Sequence, residues 1–351
     1  MWICVALESD APRRKELLIL VGFDALRQYA AFTMDEDTRV SSSSGGVFTE
    51  LSKVILAQEG VVVGAAWDEN FSGVRHIGAF SLHDLALLRG SKYIPSNMKE
   101  AYSVIRSSLL EGKQVLFSGT PCQTSAIRRR FGYSEQLVLC AVFCHSVPDG
   151  GVWRRYLEEL QYTSRSRLSS IDFKNKKNGW RSATVSIGFA DGKTQAEKVS
   201  ENVYMRAFVS GLSTRESCLD CRFRGNGSEA DIMIGDFWGV EDVFPELDDR
   251  LGISAVITFS SLGEKLLEAA SLKVLPVGMD QILKKNPNVI MSVQPHPQRG
   301  WFFENYEKMG VVKAVETALG KKSSHRTIST VFRSLKRRFN MFKEKTNGKK
   351  C

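Results

Sequence analysis

One stretch in the middle of the chain alternates strand and helix patterns, and it constrains the fold more than any other feature. The apolar run Val115–Phe117 predicts a strand, and Thr120-Pro121 after it suits the N-cap and first position of a helix. Leu137–Phe143 predicts a second strand, after which Asp149 can cap another helix. This order is typical of a parallel α/β sheet, whose ligands bind at the C-terminal ends of the strands.

The pattern changes after this stretch. Ile171–Phe173 and Ala183–Phe189 predict antiparallel strands, with Asp191-Gly192 as a hairpin turn. We therefore predict an α/β fold in which helices flank a parallel sheet and an antiparallel β insertion follows. The sequence divides into four predicted parts: residues 1–35 with little pattern, an α/β part at 36–165, a mixed α+β part at 166–320, and a basic tail at 321–351.

The cysteines indicate metal ligation or buried thiols rather than a disulfide framework, because their number is odd and the chain has no signal sequence. The seven are Cys4, Cys122, Cys140, Cys144, Cys218, Cys221 and Cys351. We interpret Cys140 as a core residue, since it lies in mid-strand.

Four of these cysteines form a candidate ligand set. Cys218-x-x-Cys221 can bring two thiolates to one metal, and Cys122 and Cys144 follow predicted strands and can supply two more. Four thiolates suit a 4Fe–4S cluster or a structural zinc ion at the strand ends. The alternative is that Cys122 and Cys144 are buried small hydrophobic residues.

Two further segments have the chemistry of a phosphate site. Ser41–Gly46 precedes an amphipathic helix pattern, and glycines and free N–H groups at a helix start bind phosphate, such as the pyrophosphate of a flavin dinucleotide. Arg89–Tyr93 combines a cation, a glycine and an aromatic ring. A flexible capped loop and a surface turn are the respective alternatives, and the Rossmann and Walker spacings are absent.

Two acid–base candidates lie beside these segments. Asp236, within Gly235–Gly239, is a candidate proton donor or hydrogen-bonding group, or else a cap for its own loop. His145, next to Cys144, is a candidate proton donor, although we favour a structural or supporting role.

Taken in order, seven segments resemble the coenzyme F420 (deazaflavin) hydrogenase/dehydrogenase beta subunit family, and plant 7-hydroxymethyl chlorophyll a reductase is similar as well. The segments are SSSSGG, LRGSKYIPS, VLFSGTPCQ, FCHSVPDG, DFKNKKNGW, SCLDCRF and DIMIGDFWG, and the resemblance spans about Gln28 to Phe259. It implies an iron–sulfur flavoprotein oxidoreductase with FAD and a 4Fe–4S cluster. Several segments in the right order are more specific than any single motif.

The resemblance also implies site residues. The cluster would be held by Cys122, Cys144, Cys218 and Cys221, and the flavin by Ser43, Ser44, Gly45, Gly46, Lys92 and Thr120. Family members usually begin with a ferredoxin-like segment, whereas Cys4 is the only cysteine before Cys122 here. We therefore expect a separate ferredoxin or another redox partner, or a further N-terminal segment outside this chain.

The positive charge is concentrated in the tail. The net charge is +9, but residues 321–351 hold eleven Lys and Arg and one acid, so the preceding residues sum to −1. A nearly neutral body argues against nucleic-acid binding. Apolar residues at helical spacing in the tail predict a basic amphipathic helix that contacts an anionic membrane surface or an acidic partner; a solvated tail is the alternative.

The sequence leaves three functions open. The first is a cytoplasmic reductase, peripheral at the inner membrane face if the tail binds lipid, acting on a deazaflavin or another small molecule, for example in polysaccharide or cell-envelope metabolism. The second is an electron-transfer subunit without chemistry of its own. The third is a zinc-stabilised binding module.

Overall fold

The computed structural model describes residues 25–247 and 249–320, so the predicted basic tail, Cys4 and Cys351 lie outside the described residues. The strands are β1 (Arg27–Phe32), β2 (Val61–Trp67), β3 (Val74–Ala79), β4 (Ser96–Asn97), β5 (Val115–Gly119), β6 (Leu137–Val142), β7 (Leu168–Asn175), β8 (Thr184–Phe189), β9 (Thr194–Lys198), β10 (Ile232–Asp236), β11 (Ser254–Thr258) and β12 (Lys273–Pro276). The helices are α1 (Glu36–Val40), α2 (Val47–Ala57), α3 (Leu82–Leu88), α4 (Lys99–Leu110), α5 (Pro121–Phe131), α6 (Gly150–Ser164), α7 (Val203–Val209), α8 (Ser261–Ala269), α9 (Met279–Leu283), α10 (Arg299–Met309) and α11 (Val311–Leu319).

Nine strands form one mixed sheet in the order β12-β1-β11-β10-β6-β5-β2-β3-β4. Its centre, β10-β6-β5-β2, is parallel, while β1, β11 and β12 join through antiparallel pairs. The α/β prediction is confirmed, with mixed rather than purely parallel pairing. Strands from outside the predicted α/β part at residues 36–165 also belong to this sheet. One of them is β1, which lies in a segment whose sequence shows little pattern.

Alternation along the central strands places helices on both faces of the sheet. Val61 and Val63 of β2 pack in a core with α4 and α5, whereas Val62 packs in a second core with α2, α3 and α8. Successive side chains of a strand point to opposite faces, and β2 is buried on both. This explains its unbroken apolar sequence.

The antiparallel insertion is confirmed as the three-stranded sheet β7-β8-β9. Gly192, in the predicted turn, has a φ of +84°, which glycine adopts without strain. The apolar residues of this sheet share a core with α6, α7, α10 and α11, in which Trp153 and Tyr204 are fully buried.

The helix starts next to the site follow the predicted capping. Thr120 is the N-cap of α5 with Pro121 in the first position, and the Asp149 carboxylate accepts a hydrogen bond from Gly151 N at α6. Because β5, β6 and β10 are parallel, the residues that follow them meet at one edge of the sheet. None of the helices within the described ranges is long and apolar enough to cross a membrane.

Candidate functional site

Four cysteines converge at this edge of the sheet. Cys122 in the first turn of α5, Cys144 after β6, and Cys218 and Cys221 together line a cavity of about 80 Å³, called here the cysteine cavity. All four are free thiols in the structure. Cys140 lies buried in β6, as expected from its mid-strand position.

Two arginines that sequence reasoning missed surround the cysteine cavity. Arg215 Nε donates a hydrogen bond to Cys218 Sγ at 3.2 Å, and its Nη2 lies 4.0 Å from Cys122 Sγ. Arg224 donates to the carbonyl oxygens of Cys144 and His145. Both guanidinium groups therefore place positive charge around the cysteine cavity. The spacing of these arginines around the C-x-x-C pair was the available signal.

Burial opposes ionisation of the Cys144 thiol when no cation is present. It raises the pKa of Cys144 to about 12 against the charge of Arg224, and the three other cysteines raise it further. A bound cation would displace the Cys144 proton, because metals bind the thiolate form. Within the described ranges, no group of three or more His, Cys, Asp or Glu side chains is arranged to hold a single metal ion.

A larger cavity of about 300 Å³, called here the large cavity, lies against the cysteine cavity. Cys144 lines both. The large cavity brings together most of the predicted site residues from five separate segments: Ser43, Ser44, Gly46, Lys92, Thr120, His145 and Asp236. Gly45 lies in the same loop, between Ser44 and Gly46.

The serine loop, residues 41–46, is a fixed wall of the large cavity. The Ser43 hydroxyl accepts hydrogen bonds from the backbone N–H and hydroxyl of Ser91 at 2.9 and 3.0 Å. Gly45 N donates to Ser254 Oγ at 3.0 Å, and Lys176 Nζ donates to the Ser44 carbonyl at 2.5 Å. Lys176 also donates to two further carbonyl oxygens, so it ties the loop to neighbouring segments.

Lys92 has a structural task as well as its place in the cavity wall. Its ammonium donates to the carbonyl oxygens of Leu88, Arg89 and Gly90 at 3.3, 2.8 and 3.1 Å, at the C-terminal end of α3. Cations are favoured at a helix C-terminus. Burial lowers the pKa of Lys92 to about 7.

The two acid–base candidates are both held by neighbours. Asp236 pairs with Lys174 and accepts a hydrogen bond from Trp180 Nε1 at 3.1 Å. Both partners of the carboxylate are therefore hydrogen-bond donors. His145 Nδ1 lies 2.9 Å from Asn288 Nδ2, and burial lowers its pKa to about 4, so its imidazole is neutral at pH 7.

Three further residues near the large cavity were not identified from the sequence. Lys174 and Lys176 lie in the DFKNKKNGW segment, where alternation along a strand could have indicated buried lysines. His76 lines the cavity from β3, with Nε2 3.1 Å from the Ser118 carbonyl. Burial lowers the pKa of His76 to about 4. A lone histidine in a strand gives no sequence signal for such a place.

The comparisons with known proteins agree with this architecture. Residues 112–276 match the family model for the C-terminal part of the coenzyme F420 hydrogenase/dehydrogenase beta subunit. The match spans β5 to β12 and all four cysteines of the cysteine cavity. Residues 112–276 of the chain belong to this family. The chain is therefore related to the redox subunits of F420 hydrogenases, and members of the family bind iron–sulfur clusters.

A solved structure shares the fold. The match is to a chain of the F420-reducing [NiFe] hydrogenase complex from Methanosarcina barkeri, studied by xenon derivatisation, with a TM-score of 0.53 and 15% sequence identity. The alignment covers 76% of this chain and 89% of that chain. No curated protein matches the sequence.

Proposed function

We propose that this protein is an iron–sulfur flavoprotein oxidoreductase, which passes electrons between a 4Fe–4S cluster and FAD to reduce or oxidise a deazaflavin or another organic substrate. One observation carries the proposal: Cys144 lines both the cysteine cavity and the large cavity. A cluster in the first and a flavin in the second would be neighbours across this residue.

The four thiols of the cysteine cavity suit a 4Fe–4S cluster or a structural zinc ion. The adjoining large cavity, whose walls suit a flavin, favours the cluster. In a 4Fe–4S cluster each thiolate binds a different iron, so the sulfurs surround a larger group. Cys122, Cys144, Cys218 and Cys221 would hold it, and Arg215 and Arg224 would offset its negative charge.

The large cavity has the polar and aromatic walls that a flavin dinucleotide requires. The serine loop and the start of α2 offer hydroxyl and N–H donors, while Tyr93, Phe143 and Phe208 supply apolar surface. FAD, when bound, supplies the conversion between one-electron and two-electron transfer. The chain orients it through the serine loop, Lys92 and Thr120, and the neutral His145 adds no charge beside the cysteines.

The serine loop provides a direct prediction. A Cβ atom at Gly45 would lie 2.5 Å from the Ala31 carbonyl and 2.9 Å from Ser254 N, so Gly45→Ala must push the loop away from β1 and β11. We expect apoprotein with this change to bind FAD at least about tenfold more weakly, corresponding to about 1.4 kcal/mol. Fluorescence titration with FAD measures this. Gly300→Ala is the control, because nothing lies within 4 Å of its added Cβ; equal FAD affinity in both variants would contradict the proposed flavin site.

The proposal as a whole is tested by absorption spectroscopy of anaerobically purified protein, with iron, sulfide, zinc and flavin assayed on the same sample. About four irons per chain together with flavin bands would support it. A colourless protein with about one zinc ion and no flavin would overturn it in favour of a zinc-stabilised binding module.

The structural match to one chain of a hydrogenase complex favours a second candidate, an electron-transfer subunit that needs a catalytic partner. Affinity purification from native cells distinguishes the two. Turnover of a deazaflavin by the isolated chain supports the enzyme, whereas turnover only with a co-purifying larger subunit supports the second candidate. A ferredoxin is the proposed electron donor in the first case.

A further inference from the structure

The two arginines beside the cysteine cavity differ in what their guanidinium groups bind. Arg224 donates hydrogen bonds to three backbone carbonyl oxygens, so it holds the backbone around the cavity. Arg215 instead donates from Nε to Cys218 Sγ at 3.2 Å, and its Nη2 lies 4.0 Å from Cys122 Sγ. The Arg215 guanidinium therefore faces two of the four proposed cluster ligands.

The backbone of Arg215 is fixed on both sides. Its N–H donates to the Val147 carbonyl oxygen at 3.1 Å, in the segment that follows β6. The preceding residue, Thr214, forms an antiparallel bridge with Pro148 in the same segment. The Arg215 carbonyl oxygen accepts a hydrogen bond from Cys218 N at 3.1 Å, which closes a turn. This turn brings the side chain of residue 215 next to the sulfur of residue 218.

Within the described ranges, no carboxylate forms an ion pair with the Arg215 guanidinium. The neighbouring carboxylate, that of Glu216, pairs with Arg299 Nη1 at 2.8 Å instead. Arg299 Nε also donates to the Thr214 carbonyl oxygen at 2.9 Å, which fixes the partner of Glu216 in place. The charge of Arg215 is thus directed at sulfur. A hydrogen bond from a charged donor is roughly twice as strong as one between neutral groups.

We propose that Arg215 raises the reduction potential of the iron–sulfur cluster in the cysteine cavity through its hydrogen bond to Cys218 Sγ. The inference rests on the proposed function. Reduction of the cluster adds one electron from a one-electron iron–sulfur donor protein and no proton, so the reduced group carries one more negative charge. A positively charged donor on a ligand sulfur stabilises this state more than the oxidised one. Hydrogen bonds to the sulfurs are among the factors that set cluster potentials.

Arg215 acts in this role on the cluster and not on the substrate, because it lines the cysteine cavity and not the large cavity. The free energy of electron transfer is proportional to the difference between two potentials. A higher cluster potential therefore favours electron uptake from the donor protein and leaves less driving force for transfer to the flavin. Arg215 thus sets how the driving force is divided between these two steps.

The test is a redox titration of the anaerobic holoprotein with dithionite and mediators, in which EPR spectroscopy follows the reduced cluster. Arg215→Met removes both the charge and the hydrogen bond but keeps a long side chain. It should shift the reduction equilibrium of the cluster at least about tenfold toward the oxidised state, which lowers the potential by about 59 mV for one electron. Arg215→Lys keeps the charge, so its potential should lie between those of wild type and Arg215→Met. An Arg215→Met potential equal to that of wild type would overturn the proposal.

Arg222→Met is the matched control for this titration. Arg222 directly follows Cys221 but is exposed and does not line the cysteine cavity. The change removes the same net charge, and its potential should stay near that of wild type because solvent and salt screen an exposed charge. Equal shifts in Arg215→Met and Arg222→Met would overturn the proposal, since overall charge and not the hydrogen bond would then explain both.

Each titration is normalised to the fully reduced signal of its own sample, so incomplete cluster content does not alter the potential. If Arg215→Met holds no iron, Arg215→Gln, which keeps a neutral N–H donor, is titrated in its place. A potential below that of wild type then supports the proposal, and an unchanged one overturns it. Wild-type protein without a reducible cluster would overturn the proposed function, whereas an intact cluster with the same potential in the variants overturns this inference alone.

Discussion

Replacing any one of Cys122, Cys144, Cys218 or Cys221 with alanine is expected to abolish or severely deplete the iron of the purified protein. The four thiols line a single cavity, and a 4Fe–4S cluster needs a thiolate on each iron. Loss of one ligand leaves one iron of the cluster without its thiolate and open to solvent. The cluster should then be bound too weakly to survive purification. Iron per chain should fall from about four to below about one after anaerobic purification, with loss of the broad visible absorption.

Cys140→Ala is the matched control for this series. Cys140 is equally free and fully buried, but it lies within β6 and does not line the cysteine cavity. It should retain full iron and lose only packing energy. Iron depletion in Cys140→Ala equal to that of the other four would show that instability, and not ligation, explains the series. Full iron in Cys122→Ala or Cys144→Ala would reduce the ligand set to the C-x-x-C pair.

The convergence of Cys122 and Cys144 could be predicted because the sequence shows where strands end and parallel pairing determines which strand ends lie together. Cys122 and Cys144 follow adjacent predicted strands, and in a parallel sheet such positions meet at one edge. The place of the C-x-x-C pair beside them depended on the family resemblance, since nothing local relates residue 218 to residue 122. The place of the serine loop likewise depended on the resemblance. The loop lies near the strand ends because it packs against β1 and β11.

The roles of individual side chains were harder to anticipate because they depend on partners distant in sequence. Asp236 reads as a proton donor, a hydrogen-bonding group or a loop cap in GDFWG, but its ion-pair partner Lys174 lies 62 positions earlier. Lys92 reads as a phosphate ligand, but its sequence does not indicate that the ammonium also binds the carbonyl oxygens at the end of α3. Buried lysines are rare in general, so lysines in a sequence are normally predicted to be exposed to solvent. Here Lys174 in β7 and Lys176 just after it bind Asp236 and the Ser44 carbonyl, two residues of the cavity wall.

The position of α5 connects the stability of the fold to the site. Arg128, on this helix, pairs with Asp231 at 2.8 Å, and the two side chains are only 4% and 5% exposed. The same carboxylate accepts hydrogen bonds from Leu139 N and the Ser260 hydroxyl, both at 2.8 Å. Asp231 thus joins α5, β6 and α8 at the start of β10. The opposite end of α5 carries Cys122 into the cysteine cavity.

Arg128→Ala is therefore expected to lower the free energy of unfolding by about 3–5 kcal/mol, because it leaves the Asp231 carboxylate buried without its cation. The adjacent Arg129→Ala changes the same residue type on the same helix, but Arg129 is 65% exposed and lies 3.8 Å from Glu229, so it should cost at most about 1 kcal/mol. Urea denaturation followed by far-UV circular dichroism measures both. Similar losses in the two variants would mean that the buried pair adds no stability beyond that of a surface pair. A large loss confined to Arg128→Ala, with reduced iron content, would show that the buried ion pair also holds Cys122 in place.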